Sequence, residues 1–142
     1  MDSDKPNIQL ILNKINQERR SLIITLPEQV NWSDYCVELY KAEKHRKKLN
    51  FRVYDFPVGI TKGDKCYVVH RGMIIGWMEI VGLSEKRGYC PFAKKKVNGK
   101  FIERSGPFHY MEEKMPHRDF QGFRYFDIEE YKLKNNIKNG TE

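Results

Sequence analysis

Between Ile60 and Gly82 the chain reads ITKGDKCYVVHRGMIIGWMEIVG, where turn residues punctuate two stretches of β-formers. Lys62-Gly63-Asp64 carries turn chemistry, since glycine enters positive φ freely and aspartate can bond its own backbone. Cys66-Tyr67-Val68-Val69-His70 predicts a strand, Arg71-Gly72 a reversal, and Met73 to Val81 a second strand around Trp77. Such a pair has to bury one face, which puts it at the centre of a small sheet or barrel.

Upstream, Ile8, Ile11, Leu12 and Ile15 recur at helical spacing and predict an amphipathic helix over 4–17. Asp4 would cap it, Pro6 suits its first turn, and Arg19-Arg20 close its last. Ser21–Leu26 reads as a buried strand stopped by Pro27. A second helix is expected from about Trp32 to Lys48, capped by Asn31 or Ser33. Val37, Tyr40 and Lys44 share one side of it, Lys41, His45 and Lys48 another, and Cys36 falls on the apolar side. Phe51–Phe56 alternates in polarity and meets Pro57, the pattern of a strand near an edge. Lys94–Val97 and Lys100–Arg104 flank Asn98-Gly99, a two-residue turn signal, and predict a second hairpin with lysines on one arm. Gly122–Ile128 reads as the final strand, and the polar residues after Lys132 as a frayed tail.

The 142 residues, 39% hydrophobic and 13% aromatic, suit one compact α+β domain that needs no disulfide or metal. No run approaches the length of a membrane span, and MDSDKPN is unlike a secretory leader. Three scattered cysteines, Cys36, Cys66 and Cys90, point to a reducing, cytoplasmic setting. The expected state is a monomer or weak dimer. The net charge of +7 is uneven: Leu39 to Arg104 holds 16 Lys and Arg against 6 Asp and Glu, and the remainder 10 against 13. A field of one sign attracts polyanions and speeds their encounter.

Specific chemistry is sparse. Cys66 and His70 share a strand face, and His109 and His117 lie eight apart, but neither spacing is a metal-ligand pattern. Gly72-x-x-x-Gly76 lacks the Gly-Lys-Ser/Thr of a phosphate loop, and no other cofactor signature is present. Cys66, Cys90, Ser84 and Ser105 have no adjacent base to activate them. Lys65 with Glu79 or Glu103 is the one plausible acid–base set, and a structural ion pair accounts for the same residues. Aromatics interleaved with cations are the fuller signal: Trp77, Tyr67, Phe92, Phe101 and Tyr125 lie near Lys65, Arg71, Lys94, Lys95, Lys96, Arg104 and Arg124. Unstacked bases lie on aromatic faces while cations follow the phosphates.

Lys62-Gly63-Asp64, Tyr67 to Gly72, Ile75-Gly76 and Glu79 to Gly82 together resemble the core of PUA-like domains, closest to the ASCH and EVE branches. Gln121 to Phe126 resembles the closing strand of such barrels, and the strand over Leu22–Leu26 with its helix fits their opening. The resemblance covers about half of the chain. It implies an α+β fold: a small PUA-like β-barrel of five to six mostly antiparallel strands, with flanking helices. Residues 1–20 would be an added N-terminal helix packed on the domain, 21–132 the PUA-like domain, and 133–142 a flexible tail. The G-x-K-x-x-E-x-R pattern of enzymatic ASCH relatives is missing; Lys41-Ala42-Glu43-Lys44-His45-Arg46 is a distant echo.

The resemblance and the charge together give the functional expectation, a module that binds RNA or DNA, often through a modified or flipped base. Lys62, Lys65, Arg71, Lys94–Lys96 and Arg104 would contact phosphates. Trp77, with Trp32 or Tyr35, would stack bases, and His70 or Arg124 would bond a base edge. Two alternatives stand beside it: a nucleoside- or RNA-processing hydrolase of ASCH type, and a protein-interaction domain using the N-terminal helix.

Overall fold

A computed structural model of the chain describes residues 21–90 and 94–135. The expected N-terminal helix over 4–17 and the tail from 136 onward lie outside them. The order is β1 (Ser21–Leu26), α1 (Trp32–Lys44), β2 (Leu49–Val53), β3 (Lys65–His70), β4 (Met73–Cys90), β5 (Lys95–Tyr110), β6 (Phe123–Phe126) and α2 (Ile128–Asn135). The strands form one curved, half-barrel sheet in the order β2-β5-β4-β3-β1-β6. Only β1 and β3 run parallel; the other neighbours are antiparallel.

Alternation along the central strands creates two apolar layers. Leu22, Ile24, Leu26, Cys66, Val68 and Ile80 face the inside of the curve with Phe51, Val53 and Ile102, and Trp32 and Tyr35 of α1 pack onto them. Ile23, Tyr67 and Val69 face outward and are covered by Met115, Ile128 and Tyr131. The hairpin between β3 and β4 turns at Arg71 (φ 53°) and Gly72 (φ 79°), both in the left-handed region that a tight hairpin turn demands. β2 is an edge strand, as Pro57 suggested, although it spans Leu49–Val53 rather than 51–56.

The Asn98-Gly99 turn does not form. Both residues sit inside β5, opposite Arg87 and Lys86 of β4, and Gly99 has no positive φ. A ladder running from Gly76↔Tyr110 to Cys90↔Lys95 passes through both residues and outweighs the local preference. α1 also differs from expectation. It ends at Lys44, and Leu39 and Ala42 are its buried residues, whereas Val37 and Tyr40 are more than half exposed. Trp32, Tyr35, Leu39 and Ala42 make the inward stripe at spacings of three and four. Leu133 to Asn135, read as the start of a tail, belong to α2.

Candidate functional site

Arg104 is the one strongly buried cation among the described residues, 2% exposed. Register with Leu49 places it where β5 passes beneath the start of α1. Its Nη1 donates to the Tyr35 hydroxyl at 3.0 Å, while its Nε has no partner and no described carboxylate pairs with it. A guanidinium stays charged at every ordinary pH, so this side chain carries into the core a charge that no described carboxylate offsets. It also keeps company with Cys66, whose thiol burial pushes up to about 11 despite the nearby cation.

Arg104 lines a cavity of about 570 Å³. Gln29, Val30, Asn31, Asp34, Tyr35 and Glu38 form one wall; Lys47, Lys48, Leu49, Asn50 and Lys94 complete it. Local chemistry explains each wall. Asn31 caps α1, accepting from the Asp34 N–H at 3.0 Å. At the other end the His45 and Lys47 N–H groups both return to the Lys41 carbonyl, and Arg46 takes φ 55°. The Ser105 hydroxyl then donates to the Lys47 carbonyl at 2.8 Å, which fastens the Lys47-Lys48 step beside Arg104. Lys94 comes from the far end of the β4–β5 ribbon. A straight strand over ten residues would carry it about 33 Å from Arg104, so the ribbon curls back over edge strand β2.

The pocket's charges are partly spoken for. Glu38 pairs with Lys47, and with Lys41 at 3.9 Å. Lys48 reaches Glu103 at 3.5 Å, and Lys86 and Ser84 also hold that carboxylate. Burial by itself would raise the Glu103 carboxyl, but hydrogen bonds from Lys86 and Ser84 and the charge of Lys48 outweigh it and keep it below the usual range. Asp34 and Lys94 make no ion pair among the described residues.

Of the residues singled out in the sequence, Tyr35, Lys94 and Arg104 meet in this pocket, and Trp32 packs nearby on the same face. Arg104, expected among the phosphate contacts, is turned inward by the alternation of β5. Lys95 and Lys96 follow Lys94 on the exposed ribbon. His70 is buried and stacked on Trp32, ring centroids 5.7 Å apart, with neither nitrogen partnered. The remaining residues lie elsewhere. Trp77 belongs to the opposite face, stacked on His109 at 3.9 Å with the Lys65 ammonium 4.5 Å above its ring. It therefore shares no cleft with Trp32 or Tyr35, because β4 presents its odd-numbered residues outward there. Arg71 lines a separate shallow hollow with Glu28, Arg118 and Asp119. Arg124 covers Phe120 at 4.5 Å, and Lys62 is exposed in the turn before β3.

Asn31, Lys47 and Lys48 were missed as lining residues. The Lys44-His45-Arg46-Lys47-Lys48 run was the available signal, but its direction depends on where α1 stops. The acid–base set does not assemble: Lys65 pairs with neither Glu79 nor Glu103, and Glu103 is already held by Lys86, Lys48 and Ser84. No group of three or more His, Cys, Asp or Glu among the described residues could hold a metal ion. No described helix is long and apolar enough to cross a membrane. No protein-family model, curated protein or solved structure matches this chain.

Proposed function

We propose that the chain is a nucleic-acid-binding module of PUA-like type, engaging a single strand at the pocket between α1, β2 and β5. One observation carries the reading: Lys47, Lys48 and Lys94, drawn from two distant parts of the sequence, converge with Arg104 on one concave site. A cavity of this size lies within the usual range for small-ligand sites, about 300–1,000 Å³. The ribbon that supplies Lys94 continues with Lys95 and Lys96, and carries Lys86 and Arg87 on its other strand. Such a row follows phosphates, while the pocket receives one end or one residue of the strand. A curved sheet of six mostly antiparallel strands with flanking helices fits the small barrel that the PUA-like resemblance implies, and this supports the family reading.

Fluorescence anisotropy with a labelled single-stranded oligonucleotide tests the proposal. Affinity is expected to fall steeply with added salt, as bound cations leave the phosphates. Changing Lys94, Lys95 and Lys96 together to alanine should weaken binding and flatten the logarithmic slope by about 2, since each single-strand contact contributes about 0.7. Binding indifferent to salt and to the triple change would refute it.

A further inference from the structure

We infer that the pocket is a site for a phosphate monoester, the terminal phosphate of a nucleic-acid strand, with Arg104 as its main contact. This rests on the nucleic-acid reading above and names what enters the pocket. Two independent features of the same cavity point to an anion. Arg104 is charged, 2% exposed and without a carboxylate among the described residues, and its Nε has no partner. The capped first turn of α1, a 13-residue helix, lines the same cavity, and its N-terminal end carries positive potential. Tyr35 holds Nη1 and so restrains the guanidinium, leaving Nη2, and not the fully buried Nε, to meet a ligand oxygen.

Charge and access select a terminal phosphate over an internal one. A monoester carries about 1.5 to 2 negative charges near pH 7 and three free oxygens, whereas a diester carries a single charge. A guanidinium that is 2% exposed is reached by a strand's end more readily than by a strand running past. Asp34 and Glu38 also line the cavity and repel an anion in proportion to its charge, a cost that Arg104, Lys47, Lys48 and Lys94 on the same cavity offset. The second proton of a phosphate monoester leaves near pH 6, so preference for it must fade below that value.

The experiment compares one oligonucleotide sequence with a 5′-phosphate, with a 3′-phosphate and with hydroxyls at both ends. A nucleoside monophosphate and inorganic phosphate serve as competitors. One phosphorylated end is expected to bind at least about tenfold more tightly than the hydroxyl form at pH 7.5, a free-energy difference of about 1.4 kcal/mol. That ratio should shrink at pH 5, where the end phosphate keeps only one charge, and approach one in Arg104→Met, which keeps an unbranched stem without the charge. The salt slope contributed by Lys94–Lys96 should survive Arg104→Met. Equal affinity of all three strands overturns the inference and leaves nucleic-acid binding intact. A monophosphate that competes as well as the strand also overturns it, because the site would then belong to free nucleotides. If no oligonucleotide binds, the nucleic-acid reading falls first. The wild-type comparison needs no variant, so a misfolded Arg104→Met leaves the test decisive.

Discussion

Glu103 shows how one residue is kept ionised in a nearly closed environment. Its side chain is 7% exposed, yet Lys86, Lys48 and Ser84 surround it and hold its carboxyl low. A depressed native value means that its stabilisation is complete above the ordinary glutamate range near about pH 4.3. The contribution is lost as pH falls through the native value. Glu103→Gln should therefore cost about 1–3 kcal/mol at neutral pH, the worth of hydrogen bonds to a charged group. Urea unfolding across pH 7 to 3 is expected to bring the two proteins together at the acid end; parallel curves would contradict this account. Gly82 belongs to the same cluster. A Cβ there would lie 2.8 Å from the Glu103 Oε1, so the missing side chain leaves the carboxylate its room. The glycine was legible in the sequence as a β-region punctuation mark, but the carboxylate across the ladder was not.

Element by element, the β4–β5 ladder decides more than local propensity does. Asn98-Gly99 has the composition of a turn and is nevertheless extended, because thirteen residue pairs of ladder continue through it. The Arg71-Gly72 reversal, in contrast, is where the sequence signalled it, since no ladder competes for those two residues. Glycines within the strands differ accordingly. A Cβ on Gly76 would come within 2.4 Å of the His109 carbonyl and 2.3 Å of the Phe108 ring, so β4 and β5 would have to part. Gly76→Ala should cost about 3 kcal/mol, the upper end of ordinary overpacking. At Gly99 the nearest atom is the Nε of Arg52, 2.7 Å away on a flexible exposed side chain that can swing aside. Gly99→Ala should stay within about 0.5 kcal/mol. Denaturation midpoints compare the pair directly, and equal losses would show that the strand approach at Gly76 has been misjudged. α1 makes the same point about register. The sequence offered Asn31 or Ser33 as its cap and the structure uses Asn31, while the choice of Leu39 and Ala42 over Val37 and Tyr40 as buried residues depended on where β2 and β5 lie.

At the scale of the molecule, the half-barrel has two edges, β2 and β6, and one side chain ties the regions together. The Tyr125 hydroxyl on β6 accepts from the Val58 N–H at 2.6 Å and donates to the Val58 carbonyl at 2.8 Å, five residues past the end of β2. Tyr125→Phe removes both bonds at an exposed seam and should cost about 1 kcal/mol. Amide exchange is expected to quicken in β6 and at Val58, with the central β3–β4 pair unchanged; uniform quickening would mean that the seam supports the whole core. The distribution of charge also belongs to this scale. The mid-chain cationic excess was countable in the sequence, but its members end up on both faces of the sheet and along the ribbon.

Alternation and turn chemistry by themselves determined the central β3–β4 hairpin, the burial of β1, the edge character of β2, and the start of α1 near Asn31 or Ser33. These are local properties, set by a two-residue or four-residue period and by which backbone angles a residue tolerates. Only the tertiary structure decided that Arg104 turns inward with no carboxylate partner among the described residues, that Trp77 and Trp32 lie on opposite faces, and that Lys94 returns to meet Lys47 and Lys48. Each of these depends on strand order, sheet curvature and long-range register, which bring together residues ten to sixty positions apart and which no local pattern encodes.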